Sequence, residues 1–218
     1  KDEKIIASWN GAMIETLAEA SDVFDRPDYY QAAENAATFI FENMFVDGNL
    51  MRISYLGNPT IEGQLLDYAA LGLGFIALHD YAPDADTAEI WLARAMDINT
   101  MIKDRFVMED GTFAMTKAVE GLGAFRPVDD TELPGGNGMV LALLNRLANR
   151  VEDPQYSLQA TDLAAAISGL VLAAPDQRAY SVNAIQKMTY GSNEAVRFVA
   201  NGVVRIESKI DRETNTLS

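Results

Sequence analysis

The chain has 218 residues, 49% hydrophobic and 22% charged, the composition of a globular fold large enough to bury a core. Its 17 basic and 32 acidic residues give a net charge of −15, which argues against nucleic acid and anionic lipid as partners, because both are bound through Lys and Arg. The lack of cysteine excludes disulfides, thiol chemistry and Cys-type zinc sites, and no run of about 18 apolar residues marks a membrane span.

In chain order, the first predicted helix covers residues 11–23, with Met13, Ile14, Leu17 and Ala18 on one face. Asp25-Arg26-Pro27-Asp28 stops it and starts a second helix over residues 29–44. There Tyr29, Ala33, Ala36, Ala37, Ile40, Phe41 and Met44 recur at helical spacing. Asp47-Gly48 and the alternating run "NLMRIS" then signal a tight turn. The pattern repeats. A second helix pair spans residues 66–106, followed by Asp110-Gly111 and "TFAMTK", and a third spans residues 137–172. "RPDYYQAAENAATFI" (26–40) aligns without a gap on "DPQYSLQATDLAAAI" (153–167), and "IWLARAMDINTMI" (90–102) is a third copy. Tyr29, Trp91 and Tyr156 are its anchors, 62 and 65 residues apart.

Alanine-rich helix pairs at steps of about 60 residues predict an all-α fold, helical hairpin repeats forming part of an α/α toroid over residues 1–190. Residues 191–218 change character. Alternating β-branched residues around Asn201-Gly202 predict two strands over residues 195–210, a short β segment that starts a further domain. Three hairpins do not close a toroid of six: either upstream sequence completes it, or the piece is an open arc whose apolar edge makes self-association into a homo-oligomer the expectation.

The starts of the first helices of each pair, "SWNG", "LLDY" and "PGGN", should meet at one rim of the ring, bringing Trp9, Asn10, Asp67, Tyr68, Gly136 and Asn137 together. Amides, aromatic rings and glycines at a concave rim suit a sugar-like small molecule. Each residue also has a structural role open to it. Asn10 can cap a helix, Trp9 can fill the core, and Gly135-Gly136 can serve a turn with positive φ. Asp67 is the candidate catalytic carboxylate, because "LLDYAALGLGFIAL" is otherwise nearly all apolar. Glycoside chemistry needs a second carboxylate, and the spacing does not choose among Glu62, Asp130 and Glu132. His79, the one histidine, closes a helix, where the imidazolium is favoured; alone it forms no paired-His acid/base system or multi-His metal site. "GLGF" (72–75) lies within an apolar helix and "PGGNG" lacks the lysine of a phosphate loop, so no cofactor is expected.

"DEKIIASWNGAMI" (2–14), "LLDYAAL" (65–71) and "LPGGNGMVLALLNRLA" (133–148) resemble landmarks of the thioredoxin-domain-containing proteins related to the spermatogenesis-associated thioredoxin-like protein. The resemblance spans about residues 1–188 and implies the later part of a six-hairpin glycosidase-like toroid. It also implies a thioredoxin-like domain of the same protein as a partner, since Lys1-Asp2-Glu3-Lys4 reads as the start of an internal piece. The family pattern has Asp-Asp-Tyr-Ala where this chain has Leu66-Asp67-Tyr68-Ala69, and Pro-Ser-Gly-Asn where it has Pro134-Gly135-Gly136-Asn137. One carboxylate and one hydroxyl are thus missing. The tail from Gly202 is similar to the amino-terminal domain of periplasmic thiol:disulfide interchange proteins, which leaves the compartment open between cytoplasm and bacterial periplasm.

Overall fold

The computed structural model describes residues 2–117 and 124–190, and the backbone of 195–200 and 203–208. A short strand β1 (Lys4–Ile6) leads into α1 (Ala7–Val23), which pairs with α2 (Pro27–Asn43). Strands β2 (Phe45–Val46), β3 (Asn49–Tyr55) and β4 (Asn58–Glu62) follow. The hairpins α3 (Leu65–Asp80)/α4 (Ala85–Phe106) and α5 (Gly136–Ala148)/α6 (Pro154–Ala173) come next, then α7 (Ala179–Tyr190) and the paired strands β5 (Ala195–Ala200) and β6 (Val203–Ser208). The three expected hairpins are present. A fourth inner helix, α7, joins them, and four short strands interrupt the all-α pattern in the first half. The strands of the tail pair antiparallel from Ala195↔Ser208 to Ala200↔Val203, while the Asn201-Gly202 turn lies outside the described residues.

Local chemistry explains the boundaries. Pro27 and Pro154 occupy the first turns of α2 and α6, where a missing N–H costs nothing. Asp84 caps α4, its Oδ1 accepting from Thr87 N–H at 2.9 Å, and Asp153 caps α6 by accepting from Gln155 N–H at 2.9 Å. Asp47 and Gly48 both have positive φ (50° and 74°), the primed turn that a two-residue β2–β3 link demands. "TFAMTK" forms one isolated bridge, Val107↔Phe113, instead of a hairpin.

Helices α1, α3, α5 and α7 form the inner row, with α2, α4 and α6 behind them. Close approach within the row rests on glycine. A Cβ on Gly11 would lie 2.6 Å from the carbonyl carbon of Ala70, one on Gly72 2.7 Å from Leu143 Cδ2, and one on Gly138 2.5 Å from Ser181 Oγ. Helix α3 is therefore buried nearly end to end between α1 and α5. Behind it, the Phe75 and Trp91 rings meet at 5.2 Å, and Tyr30 Oη donates to Leu78 O at 3.1 Å.

Several expected faces shift. Met13 is exposed while Ile14 and Ala18 are core, and Phe41 is also exposed. Tyr30 is the buried ring of α2, with Tyr29 half-buried, whereas Trp91 and Tyr156 are buried as anchors should be. His79 is buried, and burial holds its pKa below the usual value; the neutral ring donates Nδ1–H to Ala88 O at 2.9 Å, so the imidazolium expected at the end of α3 is replaced by neutral imidazole. Helix α6 is long and apolar enough, by length and composition, to cross a membrane, unlike the expectation of no such segment. About a third of it is buried, packed on one side against the hairpin, and Ser157, Thr161 and Asp162 lie among the residues of the other side.

Candidate functional site

The inner-helix starts do converge. Strand β3 lies antiparallel between β1 (Ile6↔Ile53) and β4 (Met51↔Glu62), and brings Leu50, Arg52 and Ser54 to one of its faces. Asp67, in the first turn of α3 and 0% exposed, is the hub. Its Oδ1 accepts from Ser8 N–H at the start of α1 (3.2 Å). Its Oδ2 accepts from Gln64 N–H (2.9 Å) and from Arg52 Nη1 (2.9 Å), and the same Nη1 donates to Gln64 Oε1 at 3.0 Å. A buried carboxylate is tolerated only with such partners. Here it satisfies free N–H groups of two helices and fixes β3 above them. No side chain caps α1, so the carboxylate of α3 serves its first turn in place of a local cap.

Tyr68 points to the outer side of the same node. Its Oη accepts from Leu50 N–H at 2.9 Å, and its ring packs on Phe106 at 5.4 Å with the Arg105 guanidinium 5.8 Å from its centroid. Burial pushes its phenol above the ordinary value. Arg105 also holds the Asp47-Gly48 turn, donating to Gly48 O at 3.1 Å and to Asn49 Oδ1.

Asn137, 0% exposed at the start of α5, acts as an inserted peptide group. Its Oδ1 accepts from Phe113 N–H (2.9 Å), and its Nδ2 donates to Phe113 O (2.9 Å) and Pro127 O (3.3 Å). Gly136 touches Leu65 of α3; a Cβ there would lie 3.0 Å from Leu65 Cδ2. Neither Gly135 nor Gly136 has positive φ, contrary to a turn role. Gly135 is required because a Cβ would come 2.3 Å from Val128 O. Asp130, one of the candidate second carboxylates, accepts from Gly135 N–H and Tyr180 N–H, both at 2.9 Å.

The remaining candidates face outward. Trp9 is 62% exposed and shares with Met13 the side of α1 opposite Gly11 and Ala18, so it does not fill this core. Asn10 lies inside α1, not at its cap, and its Nδ2 donates back to Ile6 O at 2.9 Å. Glu62 and Glu132 are exposed. Arg52, Gln64, Arg105 and Ser8 are the participants that sequence reasoning missed. The signal available for Arg52 was a charge within an otherwise apolar run, "NLMRIS". Among the described residues no cluster of three or more His, Asp or Glu side chains is placed to hold a metal ion.

No family model matches the chain. Spermatogenesis-associated protein 20 of Rattus norvegicus is 33% identical over 107 residues, 44% of this chain and 13% of the relative. That of Homo sapiens is 30% identical over 132 residues, 56% of this chain and 16% of the relative. The chain thus corresponds to a minor part of these relatives' length. Among solved structures, it superposes on a GH76 α-mannanase of Bacteroides thetaiotaomicron with a TM-score of 0.61 (15% identity, 77% of this chain and 45% of that one). It superposes on cellobiose 2-epimerase from Spirochaeta thermophila with a TM-score of 0.60 (16% identity, 76% and 43%), and on D-mannose isomerase with 0.59 (15% identity, 76% and 41%). The chain is thus similar over about half its length to a small part of spermatogenesis-associated protein 20, and its fold is that of the six-hairpin glycosidase-like α/α toroids, of which it covers an arc.

Proposed function

We propose that this arc receives a sugar-type small molecule at the starts of its inner helices, and that its residues bind and position the ligand without supplying an acid/base pair. The observation that carries the reading is the convergence of α1, α3 and β3 on the node Ser8–Asp67–Arg52–Gln64, in a fold shared with sugar-acting proteins. Arg52 is the natural contact. Its side chain is 30% exposed, and among the described residues only Nη1 is engaged, leaving further N–H donors for hydroxyl oxygens. Asp67 then orients Arg52, since both its oxygens are already in use.

Calorimetric titration with mannose, glucose and cellobiose tests the reading. Saturable binding is expected, weakened in Arg52→Lys, which keeps the charge but loses the guanidinium fork. If none of these sugars produces heat or a thermal shift at about 10 mM, the sugar reading fails. A second reading then stands, a scaffold that positions a thioredoxin-like domain or holds a protein partner. The exposed Trp9 and Met13 on the free side of α1 favour it, as an apolar face suits a protein surface.

A further inference from the structure

The guanidinium of Arg52 is gripped at one end only. Nη1 spends its hydrogens on Gln64 Oε1 (3.0 Å) and Asp67 Oδ2 (2.9 Å), while Nε and Nη2 make no hydrogen bond among the described residues. The grip is firm, because Asp67 is fully buried and is itself fixed by the Ser8 and Gln64 N–H groups. What remains open is the edge that carries parallel N–H bonds on Nε and Nη2, the fork that matches two oxygens of one anion. A lone hydroxyl would use half of it. The side chain is 30% exposed, so a solute can reach it. Two further observations mark the same place. Ser8 Oγ and Ser54 Oγ are both buried without a hydrogen-bond partner among the described residues, a rare state for a hydroxyl. Ser54 shares a face of β3 with Arg52, and Ser8 lies in the first turn of α1, beside the node. Helices α1 and α3 both begin here, which sets the positive ends of two helix dipoles near the guanidinium. Glu62 is kept away, since it pairs with Met51 and so lies on the other face of the sheet from Arg52.

We propose, on the premise that the node binds a sugar, that the sugar is an acidic one, a hexuronate whose carboxylate sits on the Nε–Nη2 edge of Arg52. The two carboxylate oxygens accept one N–H each, and the ring hydroxyls extend from there across the rim. A carboxylate suits the place better than a phosphate. Asp67 already answers the charge of Arg52, so the field left over is that of two helix ends, roughly half a charge each. That field balances one negative charge and not two, in a chain whose net charge of −15 repels a dianion. Arg52 is thus the residue that separates acidic from neutral sugars. Asp67 and Gln64 are positioning residues, holding Nη1 so that the other edge faces the ligand without further ordering.

Calorimetric titration at low ionic strength with glucuronate, glucose, acetate and glucose 6-phosphate tests the assignment. Glucuronate is expected to bind at least about tenfold more tightly than glucose or acetate, and glucose 6-phosphate no more tightly than glucuronate. Arg52→Lys keeps the charge but loses the fork, so it should bring glucuronate to within about threefold of glucose. A measurement on the parent needs no variant to fold: about 0.5 M salt should remove most of the preference for glucuronate and leave glucose unchanged. Glucose bound as tightly as glucuronate would overturn the proposal and leave the sugar reading standing. Acetate bound as tightly as glucuronate would mean an adventitious ion only, and tighter glucose 6-phosphate would overturn the choice of a carboxylate. An Arg52→Lys chain with the full preference, or a preference indifferent to salt, would take the selectivity away from Arg52. If no sugar binds, acidic or neutral, the sugar reading falls as well.

Discussion

Helices α3 and α6 are both rich in alanine, glycine and leucine, yet they occupy opposite situations. In α3 every side is covered, and each small residue answers to a neighbour: Gly72 to Leu143, Gly74 to the Gly11 carbonyl and Ile14. In α6 one side is covered, and the apolar residues on the other are exposed among the described residues. Composition alone makes the two look alike, even to the point that α6 has the length and apolarity of a membrane span. The difference lies in what surrounds each helix. An apolar residue with a partner explains itself by packing, and one without a partner asks for an explanation elsewhere.

Substitutions can break or sharpen this contrast. The largest effect should come from Asp67→Ala, which removes the acceptor of two backbone N–H groups and leaves Arg52 without its carboxylate partner. It should cost about 3–4 kcal/mol in chemical denaturation, and a loss below about 1 kcal/mol would mean that the node does not hold the inner-helix starts. Gly11→Ala should cost about 2–3 kcal/mol, since even a methyl group meets the Ala70 backbone and the α1–α3 row must part. The same change at the convex face should have the opposite sign. Gly169→Ala should stabilise the chain by about 0.5–1 kcal/mol in chemical denaturation. A destabilising Gly169→Ala would end the contrast between the two helices.

The smallest effect is a pH dependence from the end of α3. His79 has a folded-state pKa below its ordinary 6.5, caused first by burial. The unfolded chain then takes up the proton first, so stability is full above about pH 6.5 and falls as pH drops through that value toward the folded pKa. Denaturation at pH 7.5 and 5.5 should show a decline in the parent that is flatter in His79→Gln. An equal decline in both would assign the loss to carboxylates.

Much of the architecture was legible because it is carried by periodicity. The hairpin boundaries follow from apolar spacing interrupted by Asp25-Arg26-Pro27-Asp28 and by the Asp-Gly turns, which local φ requirements enforce. Helix α7 was missed because Ala179–Tyr190 follows "APDQR" with only Ser181 and Ala184 fully buried, too faint an apolar stripe to read. At the rim, periodicity says which residues share an end of the ring, but not which atoms are spent. Asp67 and Asn137 were visible as polar groups in apolar helices. That each is saturated by backbone and side-chain partners from distant segments was not. Met13 and Trp9 mislead for a related reason: a helix at the end of a row has an apolar face with no neighbour, and amphipathic reading cannot tell that face from a core one.

The hydrogen bond from Ser8 to Asp67 joins residues 59 apart in the chain, whereas α1 and α2 are linked by a few residues. Loop closure makes the nearer contacts cheaper in entropy, so the α1–α2 hairpin can form before the node that fixes its start. During synthesis the whole of that hairpin exists before Asp67 has been added. Until it arrives, the first turn of α1 has no side-chain acceptor, and the helix must fray or borrow water. The rim of the ring is thus a late event in folding, and α1 stays provisional until α3 has been made.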